Sequence, residues 1–203
     1  MGGVGRSAGL GAGGRDVSAP LPLAAKLAGL GPIMQLAYVP TNFDAAIDYW
    51  TRTLGVGPFF MWEHIEVDRL EYRGALSTPD FSVALSYWGD LQIELIRQDN
   101  DAPSIYRDWN SNALHHVQIV APDYDEAVAA CEREGFAVAM EGKGLLGNPA
   151  FQFAYCDLGA YGPAGFIEFA RRPEGDNTLA ERMERMQRAV REWDGSEAVR
   201  RLF

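Results

Sequence analysis

The chain has little from which a thiol centre, a disulfide framework or a zinc ribbon could be built. Two cysteines, Cys131 and Cys156, stand in 203 residues, and neither belongs to a CxxC or zinc-ribbon spacing. Both are expected as buried free thiols in a reducing cytoplasm. No run of eighteen apolar residues occurs, so no segment reads as a membrane span. Residues 1–14 have no continuous apolar stretch of the kind a signal peptide needs. Basic residues are also in deficit, 18 Lys and Arg against 28 Asp and Glu, for a net charge of −10. That balance argues against a nucleic-acid partner, because phosphate binding needs clustered Lys and Arg. An anionic substrate would need local basic residues to offset the overall field, and Lys143, Arg171 and Arg172 are the candidates.

With 47% apolar and 23% charged residues, the composition is that of a globular domain. The length suits one domain of ordinary size or two small modules sharing a core. Residues 1–30 are Gly-rich and without apolar period, which predicts a flexible tail with at most a short helix over 24–30. Residues 33–39 read as a strand and 43–54 as a helix, with Asn42 as its cap and Gly55 as its stop. Strands follow over 58–65, 69–76, 81–87 and 91–97, the last two joined by a hairpin turn at Trp88-Gly89-Asp90. Residues 102–110 read as a short connecting helix.

The same grammar then begins again. A strand over 114–120 leads to an Asp123-capped helix over 124–134, stopped by Gly135, and to strands over 136–140, 151–157 and 166–170. The two passes are alike residue by residue. QLAYVPTNFD from Gln35 lies over HVQIVAPDYD from His116, each running from a polar residue in a strand to an aromatic-Asp pair. IELIRQ from Ile93 lies over IEFARR from Ile167. The repeat therefore equates Gln35 with His116 and Glu94 with Glu168. At period two, His116 shares a face with Leu114, Gln118 and Val120, while His115 points the other way. Glu94 faces opposite to Ile93 and Leu95. A carboxylate buried in such a run is costly unless compensated, and one dication compensates two of them.

At these residues the chain resembles the vicinal oxygen chelate superfamily, which includes glyoxalase I, methylmalonyl-CoA epimerase and extradiol dioxygenases. The resemblance covers about residues 32–173. Its matching pieces are MQLAY from Met34, LQIEL from Leu91, LHHVQIV from Leu114 and FIEF from Phe166. It implies an α+β fold of two tandem βαβββ modules, about 31–110 and 112–173, forming a cupped, largely antiparallel sheet around one metal site. Gln35, Glu94, His116 and Glu168 map onto the four ligand positions of one divalent ion (Zn, Co, Ni, Mn or Mg). LHH and the loop from Gly144 to Asn148 are most like the epimerase branch, whereas glutamine at the first ligand position is the habit of zinc-type glyoxalase I.

The chemistry so implied is abstraction of a proton α to a metal-polarised carbonyl by a lyase, isomerase or epimerase. Glu168 is the expected base and Glu94 a second catalytic carboxylate. The substrate is a small organic molecule, with thioesters and aromatic compounds both in range. Tyr38, Phe60, Trp62, Trp88, Phe153 and Tyr155 are expected to line its pocket, and the segment 142–147 is expected as a lid. Two other readings stand beside this one: a sequestering protein of the same fold, with or without metal, and an Fe(II) ring-cleaving dioxygenase. The second is disfavoured because that chemistry more usually shows two His and one carboxylate. His64 and His115 are expected to be solvent-facing or structural. Residues 174–203 form a C-terminal extension with an amphipathic helix over 178–193 and further helical turns over 196–202, packed across the domain or against the second subunit of a homodimer.

Overall fold

The computed structural model describes residues 26–201 apart from 146, 160–161, 172–174 and 176. Most of the expected N-terminal tail thus lies outside the described residues. From Lys26 the chain is in place: Leu27–Gly29 form a 3-10 turn, Leu27 and Leu30 pack on the core, and Lys26 pairs with Glu134.

Each half opens with a strand and a capped helix. Strand β1 (Ile33–Tyr38) leads to α1 (Phe43–Asp48), where the Asn42 side chain accepts the Ala45 N–H. The helix loosens into one π turn, Tyr49–Thr53, before Gly55 at φ +69° ends it. Strand β7 (Leu114–Ile119) leads to α2 (Tyr124–Arg133), where Asp123 accepts the Glu126 N–H. The remaining elements are β2 (Phe59–Trp62), β3 (Val67–Tyr72), β4 (Ala75–Ser77), β5 (Phe81–Trp88), β6 (Leu91–Gln98), β8 (Val138–Leu145), β9 (Gln152–Asp157), β10 (Phe166–Arg171), α3 (Thr178–Arg191) and β11 (Val199–Arg201).

The eleven strands among the described residues form one sheet in the order β11-β2-β5-β6-β1-β7-β10-β9-β8-β3-β4. In each half the first strand runs parallel to the last, β1 beside β6 and β7 beside β10, and the halves join through the antiparallel pair β1–β7. These are the βαβββ modules that the repeat predicts, with one addition. The β3–β4 hairpin leaves the first module and pairs with β8 of the second. The single strand expected over 69–76 is therefore two, turning at Arg73-Gly74, where both φ values are positive as a tight hairpin turn requires. The hairpin at Gly89-Asp90 is present, with Trp88 opposite Leu91.

Three other expectations are corrected. Residues 102–110 form turns rather than a helix, with Ser104 Oγ accepting the N–H groups of Tyr106 and Arg107. The segment expected as a lid is strand β8 as far as Leu145, held by β3 on one side and β9 on the other. The segment expected as further helical turns after α3 contains β11, which extends the sheet by pairing in parallel with β2.

The period-two patterns sort the side chains into two layers. Helix α1 covers Phe59, Ala84, Ile93 and Leu95. Helix α2 covers Val117, Ile119, Ala154, Cys156, Ile167 and Phe169, and both cysteines are buried there as free thiols. The opposite face gathers Leu70, Tyr72, Val83, Leu85, Phe153, Tyr155 and Phe166, and α3 lies on it through Met183, Met186 and Val190. Beyond α3, Trp193 covers Gly57 so closely that a Cβ there would meet the indole at 2.7 Å. The C-terminal extension thus closes the inner face of the first half and pairs with its edge strand. Among the described residues no helix is long and apolar enough to cross a membrane.

Phe169 is fully buried under α2. Phe169→Ala is expected to lower stability by roughly 3–5 kcal/mol in urea unfolding. Leu76→Ala, at a position 67% exposed, is expected to stay within about 0.5 kcal/mol.

Candidate metal centre

The pairing of the four central strands lays two rows of side chains across the inner face. One row is Glu94, Ala37 and His116 on β6, β1 and β7. The next is Gln92, Gln35, Gln118 and Glu168 on β6, β1, β7 and β10. Ala37 is the small member, and across it His116 reaches Glu94. His116 Nε2 lies 3.4 Å from Glu94 Oε2 and 3.1 Å from Glu168 Oε2. Both contacts are within ion-pair reach, yet neither has hydrogen-bond geometry, so Nε2 is a fully buried nitrogen without a hydrogen-bond partner.

Gln35 is turned by its neighbours. Gln92 Nε2 donates to Tyr87 Oη at 3.0 Å and contacts Met183 Sδ at 3.2 Å, which leaves Gln92 Oε1 to accept from Gln35 Nε2 at 2.8 Å. The amide oxygen of Gln35 is thereby left buried with no partner. An orphaned amide oxygen, an orphaned imidazole nitrogen and two carboxylates on one wall are the donor set of a borderline-hard divalent ion. In donor chemistry the residues fit such an ion.

Without a cation, the imidazole itself takes that role. Burial alone would depress the His116 pKa, but the Glu168 and Glu94 carboxylates more than reverse this and hold it at about 9. Burial pushes the Glu94 pKa above the usual carboxylate range, His116 works against that shift, and Glu168 adds to it. Tyr106 and Tyr155, whose hydroxyls meet at 3.0 Å, are raised well above the ordinary tyrosine value by burial. They remain donors at any working pH.

His115 departs from the expected alternation. Ala37 pairs with His116 and Tyr38 with Leu114, so His115 is skipped as a β-bulge. Its ring, fully buried, turns beside that of His116, with the two Nδ1 atoms 2.9 Å apart, and Leu114 turns to the α2 side. His64 is exposed and pairs with Asp80 through Nδ1 at 2.9 Å.

The site opens into a cavity of about 110 Å³ lined by Gln35, Gln92, Glu94, Gln118 and Glu168, by apolar and aromatic residues, and by Leu179 and Met183 of α3. Of the expected substrate residues, Trp62, Phe153 and Tyr155 line it. Phe60 packs on the same core without lining the cavity. Tyr38 and Trp88 are corrections. Tyr38 packs against Trp50 at a tilt of 54° in the cluster under α1, and Trp88, 57% exposed, meets Trp50 edge-on. Arg171 pairs with Asp125 and lies over the Tyr124 ring on the α2 side, away from the cavity, and Arg172 lies outside the described residues. Sequence reasoning missed Gln92, Gln118, Tyr106, Leu179 and Met183 as lining residues. The two glutamines stand two residues from Glu94 and His116 and share their faces; nothing local marks the other three.

Among the described residues, one group alone brings three acidic or histidine ligand atoms within 4.8 Å of one another: His64, Asp80 and Asp99 at the surface. It is an ordinary charge cluster, because Arg97 Nε pairs with Asp99 at 2.6 Å and Asp80 is bound to His64. Glu94 and Glu168 each approach His116 without approaching each other that closely.

The elevated His116 pKa carries a sign for stability. The folded value exceeds the unfolded 6.5, so the stabilisation is complete below pH 6.5 and is lost as pH rises to about 9. Chelator-treated protein is expected to lose urea resistance across that window, and His116→Gln is expected to flatten the loss. Equal slopes in the two proteins would exclude His116 as the group responsible.

Comparison with solved structures finds folds of similar outline at low identity. A methylmalonyl-CoA epimerase variant from Streptomyces coelicolor in complex with 2-nitronate-propionyl-CoA is 15% identical with TM-score 0.47, over 71% of this chain and 99% of that one. Methylmalonyl-CoA epimerase from Mycobacterium tuberculosis is 15% identical with TM-score 0.48, over 73% and 91%. A mutant of 4-hydroxymandelate synthase from Streptomyces coelicolor is 10% identical with TM-score 0.48, over 68% and 38%. Comparison with curated proteins yields no match. The Glyoxalase/Bleomycin resistance protein/Dioxygenase superfamily matches residues 34–155, more than half of the chain, a span that takes in β6, β7 and nearly all of β1 and ends before β10. The chain belongs to that superfamily.

Proposed function

We propose that the protein is a metal-dependent lyase, isomerase or epimerase that removes a proton α to the carbonyl of a small organic substrate. The observation that carries this reading is the pair of orphaned donors, Gln35 Oε1 on the cavity wall and His116 Nε2 behind it, within ion-pair reach of the two carboxylates that line the cavity. Gln35, Glu94, His116 and Glu168 would hold one divalent ion. Such an ion, when bound, supplies a Lewis acid that polarises the substrate carbonyl and acidifies the adjacent carbon.

The protein's own groups do the rest. Glu168, 6% exposed and facing the cavity, is the base that takes the proton. Glu94 flanks His116 on the other side and is the second carboxylate available to hold or return it. Tyr106 and Tyr155 present hydroxyls that stay protonated and orient an oxygen of the substrate. Trp62, Phe153, Leu179 and Met183 keep water from the reacting carbon. A space of about 110 Å³ suits a small reacting portion, whether that of a thioester or of an aromatic ketone. The reading carries with it a homodimer working in a reducing cytoplasm, where the buried Cys131 and Cys156 remain thiols.

The test is solvent-deuterium exchange at the α carbon, followed by proton NMR across acyl thioesters, hemithioacetals and aromatic ketones with a divalent metal added. Exchange is expected with one class. Glu168→Gln is expected to slow it by roughly 10²–10⁴-fold while retaining partial metal binding. Tight substrate binding without exchange would favour a sequestering protein, and full exchange in Glu168→Gln would exclude that residue as base.

A further inference from the structure

We propose that His115 is a positioning residue for the metal centre: its ring fixes the tautomer of His116, so that Nε2 is the nitrogen His116 offers to the ion. This inference rests on the metal-site reading above. Three contacts carry it. His115 Nε2 lies 3.4 Å from the Ile105 carbonyl oxygen, which can only accept, so the His115 proton belongs on Nε2. The His115 ring is enclosed by Tyr106, Trp109 and Phe166, with ring centroids 5.6, 5.0 and 5.0 Å away, and no carboxylate is among these neighbours. A neutral ring protonated at Nε2 has a bare Nδ1. That bare Nδ1 stands 2.9 Å from His116 Nδ1, so the proton between them belongs to His116. His116 is thereby protonated at Nδ1 with its ring pinned, and Nε2 is directed at Glu94 and Glu168.

Ligating histidines are generally oriented by whatever accepts their second N–H, most often a carboxylate or a backbone carbonyl. Here a second imidazole takes that place and passes the bond on to the backbone of Ile105. The β-bulge makes this possible, since regular alternation would send the two rings to opposite faces.

Two measurements test the proposal. Co²⁺ is titrated into chelator-treated wild type, His115→Asn and His115→Phe, and read by visible absorption. Asparagine can place an amide oxygen near the Nδ1 position, whereas phenylalanine fills the space without an acceptor. His115→Phe is expected to weaken Co²⁺ binding roughly 10–100-fold, while His115→Asn stays within about threefold of wild type. In Zn²⁺-loaded wild type, ¹⁵N NMR is expected to show His116 protonated at Nδ1 and His115 at Nε2. Wild-type Co²⁺ affinity in a folded His115→Phe, or a proton on His115 Nδ1, would overturn the proposal. If His115→Phe does not fold, the tautomers of wild type decide. If wild type binds no Co²⁺, the metal reading itself fails, and the metal-free His115 tautomer still tests the relay separately.

Discussion

Two carboxylates are costly to hold in their charged form inside a folded protein without a positive charge beside them, and this constraint organises the centre of the molecule. Glu94 and Glu168 lie on the inner face of the sheet, both within ion-pair reach of His116 Nε2. In the absence of a metal, the imidazole takes up a proton and becomes the compensating cation. That arrangement satisfies charge without satisfying every polar atom: Gln35 Oε1 and His116 Nε2 remain without hydrogen-bond partners. A divalent ion would relieve both deficits, replacing the proton on Nε2 and taking the amide oxygen as a further donor. The burial that makes the carboxylates costly is therefore also what would favour a cation there.

The fold supplies this constellation through symmetry and through small departures from it. Duplicated modules meet at the antiparallel β1–β7 pair, which brings the first and last strands of both halves together. Ala37 leaves the gap across which His116 reaches Glu94. The departures are local. A bulge brings His115 beside His116, the β3–β4 hairpin crosses to the second half, and α3 covers the cavity with Leu179 and Met183. An enclosed apolar wall raises the strength of each polar contact within it.

The repeat made the modules legible, because equivalent residues recur at equivalent places and the turn signals at Asn42, Asp123, Gly55, Gly89 and Gly135 are local chemistry. It also picked out Gln35, Glu94, His116 and Glu168, since strand alternation alone places each opposite the apolar layer under the helices. What was not legible depends on contacts distant in sequence. Nothing around Arg69 says that its strand will pair with Lys143 of the other module. A bulge at His115 has no local composition signal, so strict alternation sent its ring the wrong way. Tyr38 and Trp88 read as pocket aromatics by type, but pack with Trp50 on the far side. The segment after α3 reads as helix by composition and is a strand because β2 offers it an open edge.

The central claim is the position of one cation, and anomalous diffraction at the cobalt edge from crystals grown with Co²⁺ tests it directly. A single strong peak is expected within bonding distance of Gln35 Oε1, His116 Nε2 and the carboxylates of Glu94 and Glu168. No peak there, or a peak confined to the surface group of His64, Asp80 and Asp99, would contradict the account.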